Sequence, residues 1–181
     1  MSKVAVILAD GFEEIEAVTV IDILRRADID ALGVGLTKKI VKGTHGVEIK
    51  ADTILDAIDV DEFSMIVLPG GLPGAKYLAE SKELGEKLRE FNEKGLKIGA
   101  ICAAPWALST AGVLKESYTC YPGFEKNVAH KGYTDDKNVV VDSNIITSKG
   151  PATAMEFALS LVKELKGETK YQEIKSGLLF S

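Results

Sequence analysis

Short apolar runs rich in β-branched residues recur along the chain, at Val4 to Leu8, Ile29 to Leu36, Met65 to Leu68, Ile98 to Ile101, Val139 to Val141 and Ile145 to Thr147. Each is a strand signal, and their near-continuous apolar character suits a sheet covered on both faces. Helical patterns lie between them. Residues 13–27 carry Ile15, Val18, Thr19, Asp22 and Arg25 at mixed spacing, as expected for a helix packed against a sheet and a neighbour. Ser81 to Lys94 is charged, with Leu84, Leu88 and Phe91 on one stripe, which predicts a surface helix. The clearest helix carries Ala154, Phe157, Ala158, Leu161, Val162 and Leu165 on one face, starts after Gly150-Pro151 and is expected to stop at Gly167. Strands alternating with helices pair in parallel through right-handed crossovers, so a doubly wound α/β sandwich is the economical fold. Lys38 to Lys50 reads as a β-hairpin turning at Gly43-Thr44-His45-Gly46 and sitting at an edge. The tail from Glu168 has Tyr171, Ile174 and Leu178 at helical spacing, to pack back on the core or on a second subunit.

With 181 residues, the chain is expected to form one domain spanning residues 1–181. It is 46% apolar and 27% charged, a globular balance, and its net charge of −5 comes without a run of Lys or Arg. That composition speaks against nucleic acid or an anionic membrane as the main partner. The stretch Val4 to Ala9 is shorter than a signal-peptide core, and Ile98 to Leu114 is broken by Pro105, so neither reads as a targeting or membrane segment. Two cysteines make no disulfide framework; the expected compartment is the reducing cytoplasm, where thiols stay free.

In an open α/β sheet the site lies outside the carboxyl ends of the strands. Three junctions there stand out: Ala9 to Glu16, Leu68-Pro69-Gly70-Gly71-Leu72-Pro73-Gly74, and Ala100-Ile101-Cys102-Ala103-Ala104-Pro105-Trp106. Cys102 would sit at a strand end before a helix, near unpaired N–H groups and the positive end of the helix dipole, both of which favour thiolate. Small neighbours would permit the cramped elbow that exposes a nucleophile. The alternative is a buried cysteine acting as a small hydrophobe. Gly70 and Gly71 lack the spacing of a phosphate loop; they offer either a tight turn or a backbone N–H to a developing oxyanion. Asp10 and Glu13 have the spacing of a capping box and read as structural. Glu16 is either on a solvated helix face or turned inward, where burial would keep its carboxyl protonated. His130 and His45 read as surface imidazoles, Cys120 as a strand-end cysteine. No HExxH or CxxC spacing exists, so no metal is expected.

The junctions together resemble the ThiJ/PfpI superfamily, and within it the Parkinson's-disease-associated protein deglycase branch, also described as glutathione-independent glyoxalases. The resemblance is carried by Val6 to Glu16, Val67 to Gly71 with Gly74-Ala75, Ala100 to Pro105, and Thr147 to Thr153, in order, over nearly the whole chain. It implies a flavodoxin-like three-layer sandwich of the class I glutamine amidotransferase-like kind, forming a homodimer and working without a metal or organic cofactor. It makes Cys102 the nucleophile, Glu16 its protonated partner, and the backbone N–H groups of Gly71 and Ala103 the oxyanion donors, with Gly70, Tyr121 and Pro151 at the substrate pocket. The implied reaction converts a 2-oxoaldehyde such as methylglyoxal, or its early amine or thiol adduct, to a 2-hydroxy acid.

This chain departs from that pattern in two places. Tyr121 stands where many relatives of the branch carry a His, and a phenol is a poor base at neutral pH. Ala103 follows the nucleophile where the protease-like branch has a His, which removes the adjacent dyad that peptide hydrolysis would use. His45 falls near a basic position that relatives present toward the partner subunit's site. Two other functions compete with the glyoxalase or deglycase reading: a redox-sensing stress protein or chaperone that oxidises Cys102, and a cysteine peptidase or amidase.

Overall fold

The computed structural model describes residues 2–181. Its chain runs β1 (Lys3–Leu8), α1 (Glu14–Arg26), β2 (Asp30–Gly35), β3 (Ile40–Lys42), β4 (Glu48–Lys50), β5 (Thr53–Ile54), β6 (Met65–Leu68), α2 (Gly74–Glu80), α3 (Lys82–Glu93), β7 (Lys97–Ile101), α4 (Pro105–Ala111), α5 (Glu125–Val128), β8 (Val139–Asp142), β9 (Ile145–Ser148) and α6 (Ala154–Gly177). Seven strands form one sheet in the order β5-β2-β1-β6-β7-β9-β8, parallel except for the β8–β9 pair.

The apolar runs are continuous because the sheet has a core on each side. Successive side chains of a strand point to opposite faces. Val4, Val6 and Leu8 of β1, with Met65 and Val67 of β6, join Ala17, Val20 and Leu24 of α1 and Phe157, Leu161 and Val162 of α6. Ala5 and Ile7, with Ile66 and Leu68, join Leu84, Leu88 and Phe91 of α3 and Leu108 of α4 on the other face. The result is the expected three-layer sandwich. Gly99 in β7 leaves room for α6, since a Cβ there would come within 3.1 Å of Phe157 Cζ.

Two local expectations change. The helix after Ala154 is interrupted at Gly167 (φ 82°, ψ 179°) but resumes to Gly177. The glycine takes a conformation closed to other residues, and Tyr171, Ile174 and Leu178 then give the resumed segment an apolar face to bury on the α1 side of the core. The hairpin β3–β4 forms with the expected residues, yet it makes its own antiparallel two-stranded sheet instead of extending the main one, whose edges are β5 and β8. It folds back on the loop after β1: Gly11 N–H donates to Lys42 O (2.7 Å) and Thr44 N–H to Phe12 O (2.8 Å).

Phe157 is fully buried where α6 crosses β7, whereas Leu179 is 92% exposed. Phe157→Ala is expected to lower unfolding free energy by about 3–5 kcal/mol, and Leu179→Ala by less than about 0.5 kcal/mol, both read by urea denaturation.

Candidate active site

Strands β1, β6 and β7 are adjacent and parallel, so the segments after all three emerge at the same end of the sheet. That order brings together the three junctions singled out in the sequence. Cys102 leaves β7 with a positive φ of 64°, rare for a residue with a side chain. Two backbone bonds hold it there: its N–H donates to Ser148 O (3.0 Å), and its carbonyl accepts from Tyr121 N–H (2.9 Å). The side chain is almost enclosed, at 8% exposure. Pro105 then occupies the first turn of α4.

The loop after β6 passes so close that only glycine fits. A Cβ on Gly70 would lie 2.6 Å from Cys102 Cβ and 3.0 Å from its sulfur. A Cβ on Gly71 (φ 90°) would lie 2.5 Å from Glu13 N and from Gly11 O. Because these side chains are absent, the backbone N–H groups of Gly71 and Ala103 reach the Cys102 sulfur.

Glu16 lies one turn into α1 and is fully buried. Its Oε2 accepts from Gly70 N–H at 2.7 Å. Its Oε1 is equally buried and has no hydrogen-bond partner; the Cys102 thiol is the neighbouring side chain that favours the ionised carboxyl. Burial pushes the Glu16 carboxyl up to about 7, helped by the nearby Glu13 charge, against the downward pull of Gly70 N–H and Cys102. Burial and the Glu16 carboxylate push the Cys102 thiol up to about 12, while Gly71 and Ala103 N–H pull it down. The sequence expectation of an acidified thiol is therefore corrected for a thiol beside an ionised Glu16: the helix start and its N–H groups are present, but burial and the carboxylate charge outweigh them. The two acids titrate as a pair, which holds two protons below about 7 and one between about 7 and 12.

The capping expectation also changes. Glu13, not Asp10, is the N-cap of α1, its Oε2 accepting from Glu16 N–H at 2.8 Å. Asp10 instead accepts from Lys42 N–H (3.1 Å) and pairs with Lys38 (2.6 Å), because the turn at Gly11 carries it toward the hairpin. Tyr121 is half exposed, and its ring edge lies 3.2 Å from where a Cβ on Gly150 would stand, next to Pro151.

Both imidazoles are exposed and neither is hydrogen-bonded to the thiol. His45 Nδ1 meets Glu14 Oε2 at 2.8 Å, and His130 Nε2 lies 2.7 Å from Lys115 O. Cys120 is fully buried in an irregular segment, not at a strand end, since Tyr118 and Tyr133 form only an isolated bridge. Both cysteines are free; Cys120 belongs to the α3–α4 core and Cys102 to the α1–α6 core. Glu13, Glu14 and His45 bring one donor atom each within 4.8 Å of one another. The hairpin fold creates that cluster, so no short-range metal motif announces it. Ser148 and the backbone of Tyr121, which fix Cys102, are likewise invisible in the sequence because they act through main-chain atoms.

A family model described as the DJ-1/PfpI family matches residues 2–164. The chain is 46% identical over 183 residues to protein dj-1beta of Drosophila melanogaster, covering 99% of this chain and 98% of that one. The crystal structure of that fly protein superposes with a TM-score of 0.95 at 44% identity, covering both chains completely. Glutathione-independent glyoxalase DJR-1.2 of Caenorhabditis elegans is 40% identical over 159 residues (87% of this chain, 85% of that one). Glutathione-independent glyoxalase DJ-1 of Schizosaccharomyces pombe is 35% identical over 188 residues, covering 98% of each.

The raised carboxyl has a stability signature. Glu16 loses its proton near 4.5 in the unfolded chain, whereas the folded pair gives up its first proton near 7. Between those values only the unfolded state is charged, so stability falls as pH rises and levels off above about 7. Measured by urea unfolding, Glu16→Gln is expected to gain on the order of 2–3 kcal/mol relative to the parent between about pH 4.5 and about pH 8.

Proposed function

The chain belongs to the DJ-1/PfpI family, and we propose that it is a cysteine-dependent glyoxalase or protein deglycase acting on 2-oxoaldehydes such as methylglyoxal or their early amine and thiol adducts. Two relatives carry the name glutathione-independent glyoxalase. The observation that carries the reading in this chain is the buried, unpartnered Glu16 Oε1 of a carboxyl coupled to the Cys102 thiol.

The thiolate of Cys102 attacks the aldehyde carbon, forming a C–S bond while the carbonyl electrons move to oxygen. Glu16 gives its proton to that oxygen, and a hemithioacetal results. The carboxylate left behind is the base that takes the hydrogen from the same carbon as a proton, giving an enediolate, and returns it to the neighbouring carbon while the hydroxyl proton passes to the neighbouring oxygen. The product is a thioester of the 2-hydroxy acid; water cleaves it, releases lactate from methylglyoxal and restores the thiol. Gly70 N–H on Oε2 leaves Oε1 to carry the proton. Gly71 and Ala103 N–H hold the negative charge, first on sulfur and then on oxygen. Tyr121 and Pro151 flank the substrate, the phenol as a hydrogen-bond donor.

No organic cofactor or metal enters this scheme, and the whole chain acts as one domain, proposed to work in the cytoplasm. No described helix is long and apolar enough to cross a membrane. Ile15 and Val18 of α1 and Val47 beside β4 are about half exposed, and these apolar side chains are proposed to bind a second copy of the chain. A sensor reading uses the same groups: Cys102 is 8% exposed and Cys120 fully buried, so an oxidant meets Cys102 first. A peptidase reading has no support, since Ala103 follows Cys102 and neither imidazole is bonded to it.

Lactate formation from methylglyoxal is expected to vanish in Cys102→Ala and to fall by about 10²-fold or more in Glu16→Gln, while Cys120→Ser keeps it. In the parent, kcat/KM is expected to rise with pH through about 7, where the pair loses its first proton. Absence of turnover in the parent, with Cys102 oxidised before Cys120, would favour the sensor.

A further inference from the structure

Glu13 is a costly choice of helix cap. Ser, Thr, Asp and Asn fill this position best, and all four reach the N–H groups with a short side chain. Glu13 instead buries a carboxylate at 6% exposure. Among the described residues no cation lies within ion-pair distance of it: the nearest imidazole, His45, is taken by Glu14, whose two oxygens accept from His45 N–H (2.6 Å) and meet its Nδ1 (2.8 Å). A serine or asparagine would cap α1 without this penalty.

What Glu13 does beyond capping is visible in its hydrogen bonds. Its N–H donates to Gly70 O (2.9 Å), Gly70 N–H donates to Glu16 Oε2 (2.7 Å), and Glu16 N–H donates to Glu13 Oε2 (2.8 Å). These three bonds close a ring that joins the start of α1 to the glycine loop and fixes the orientation of the Glu16 carboxyl. We propose that Glu13 is a positioning residue for the Glu16–Cys102 pair, acting through this ring and through its buried, uncompensated charge. The ring commits Oε2 to Gly70 N–H and leaves the buried Oε1 free to hold the proton, and the charge makes it harder for Glu16 to give up that proton, which leaves the sulfur as the group that carries the negative charge. The inference rests on the thiol–carboxyl reading of the site but not on the identity of the substrate.

The titratable groups that face Glu16 are Cys102 from the turn after β7 and Glu13 from its own helix start. Those that face Glu13 are Glu14 and, from the hairpin turn, His45. Glu13→Gln keeps an amide oxygen to accept from Glu16 N–H and removes only the charge. The test is the pH dependence of Cys102 alkylation by iodoacetamide in the full chain carrying Cys120→Ser, with and without Glu13→Gln. The midpoint near 7 is expected to move down by about half a pH unit or more, and the plateau rate to fall several-fold, because the proton leaves Glu16 more readily and stays with sulfur. A plain cap would leave both unchanged, and that result overturns the proposal. If Glu13→Gln does not fold, Glu13→Ser supplies a preferred neutral cap and is read in the same way. A parent profile that Glu16→Gln does not alter also overturns it, since no pair would exist to be tuned. A shifted profile in a protein that does not turn over methylglyoxal sinks the substrate reading and leaves this inference standing.

Discussion

A carboxyl and a thiol, both removed from water and in contact, determine the character of this molecule. Two such acids cannot both ionise at that distance, so they share a proton, and the surrounding backbone decides which of them keeps it. Each donor has a defined target: Gly70 N–H goes to one oxygen of Glu16, while Gly71 and Ala103 N–H go to the sulfur. Neutral dipoles fixed in the fold thus do the work for which many thiol enzymes use an imidazole. The proposed chemistry needs a base that appears only after the acid has acted, and one carboxyl at the reacting carbon meets both needs.

The fold supplies this arrangement through strand order. β6 lies between β1 and β7, so the loop after β6 is wedged between the segments carrying Glu16 and Cys102. Glycine at positions 70 and 71 lets the wedge close, since any side chain there would collide with Cys102 or with the start of α1. The two cores on either side of the sheet hold the strands in register, and the hairpin braces the first junction from outside.

Much of this was legible in the sequence for physical reasons. Strands buried on both faces must be apolar along their length, and β1, β6 and β7 announce themselves in that way. Leu84, Leu88 and Phe91 show their stripe because α3 has one wet face. Cys102 and Glu16 stood at strand-to-helix junctions, where such sheets carry sites. What stayed hidden depends on distance or on main-chain atoms. Asp10 and Glu13 have capping-box spacing, but the turn at Gly11 moved the cap to Glu13. Gly167 looks like a helix stop, and only packing on α1 makes the chain resume. The thiol's pKa direction could not be read from its place at a helix start, because the opposing quantity, burial, is a tertiary property.

The central claim concerns the location of one proton, and neutron diffraction from crystals of the full chain at a pD of about 8, where the pair holds a single proton, reads it directly. Deuterium bound to Glu16 Oε1, with a bare Cys102 sulfur facing Gly71 and Ala103 N–D, is the predicted map. Deuterium on the sulfur beside an unprotonated carboxylate would contradict the account.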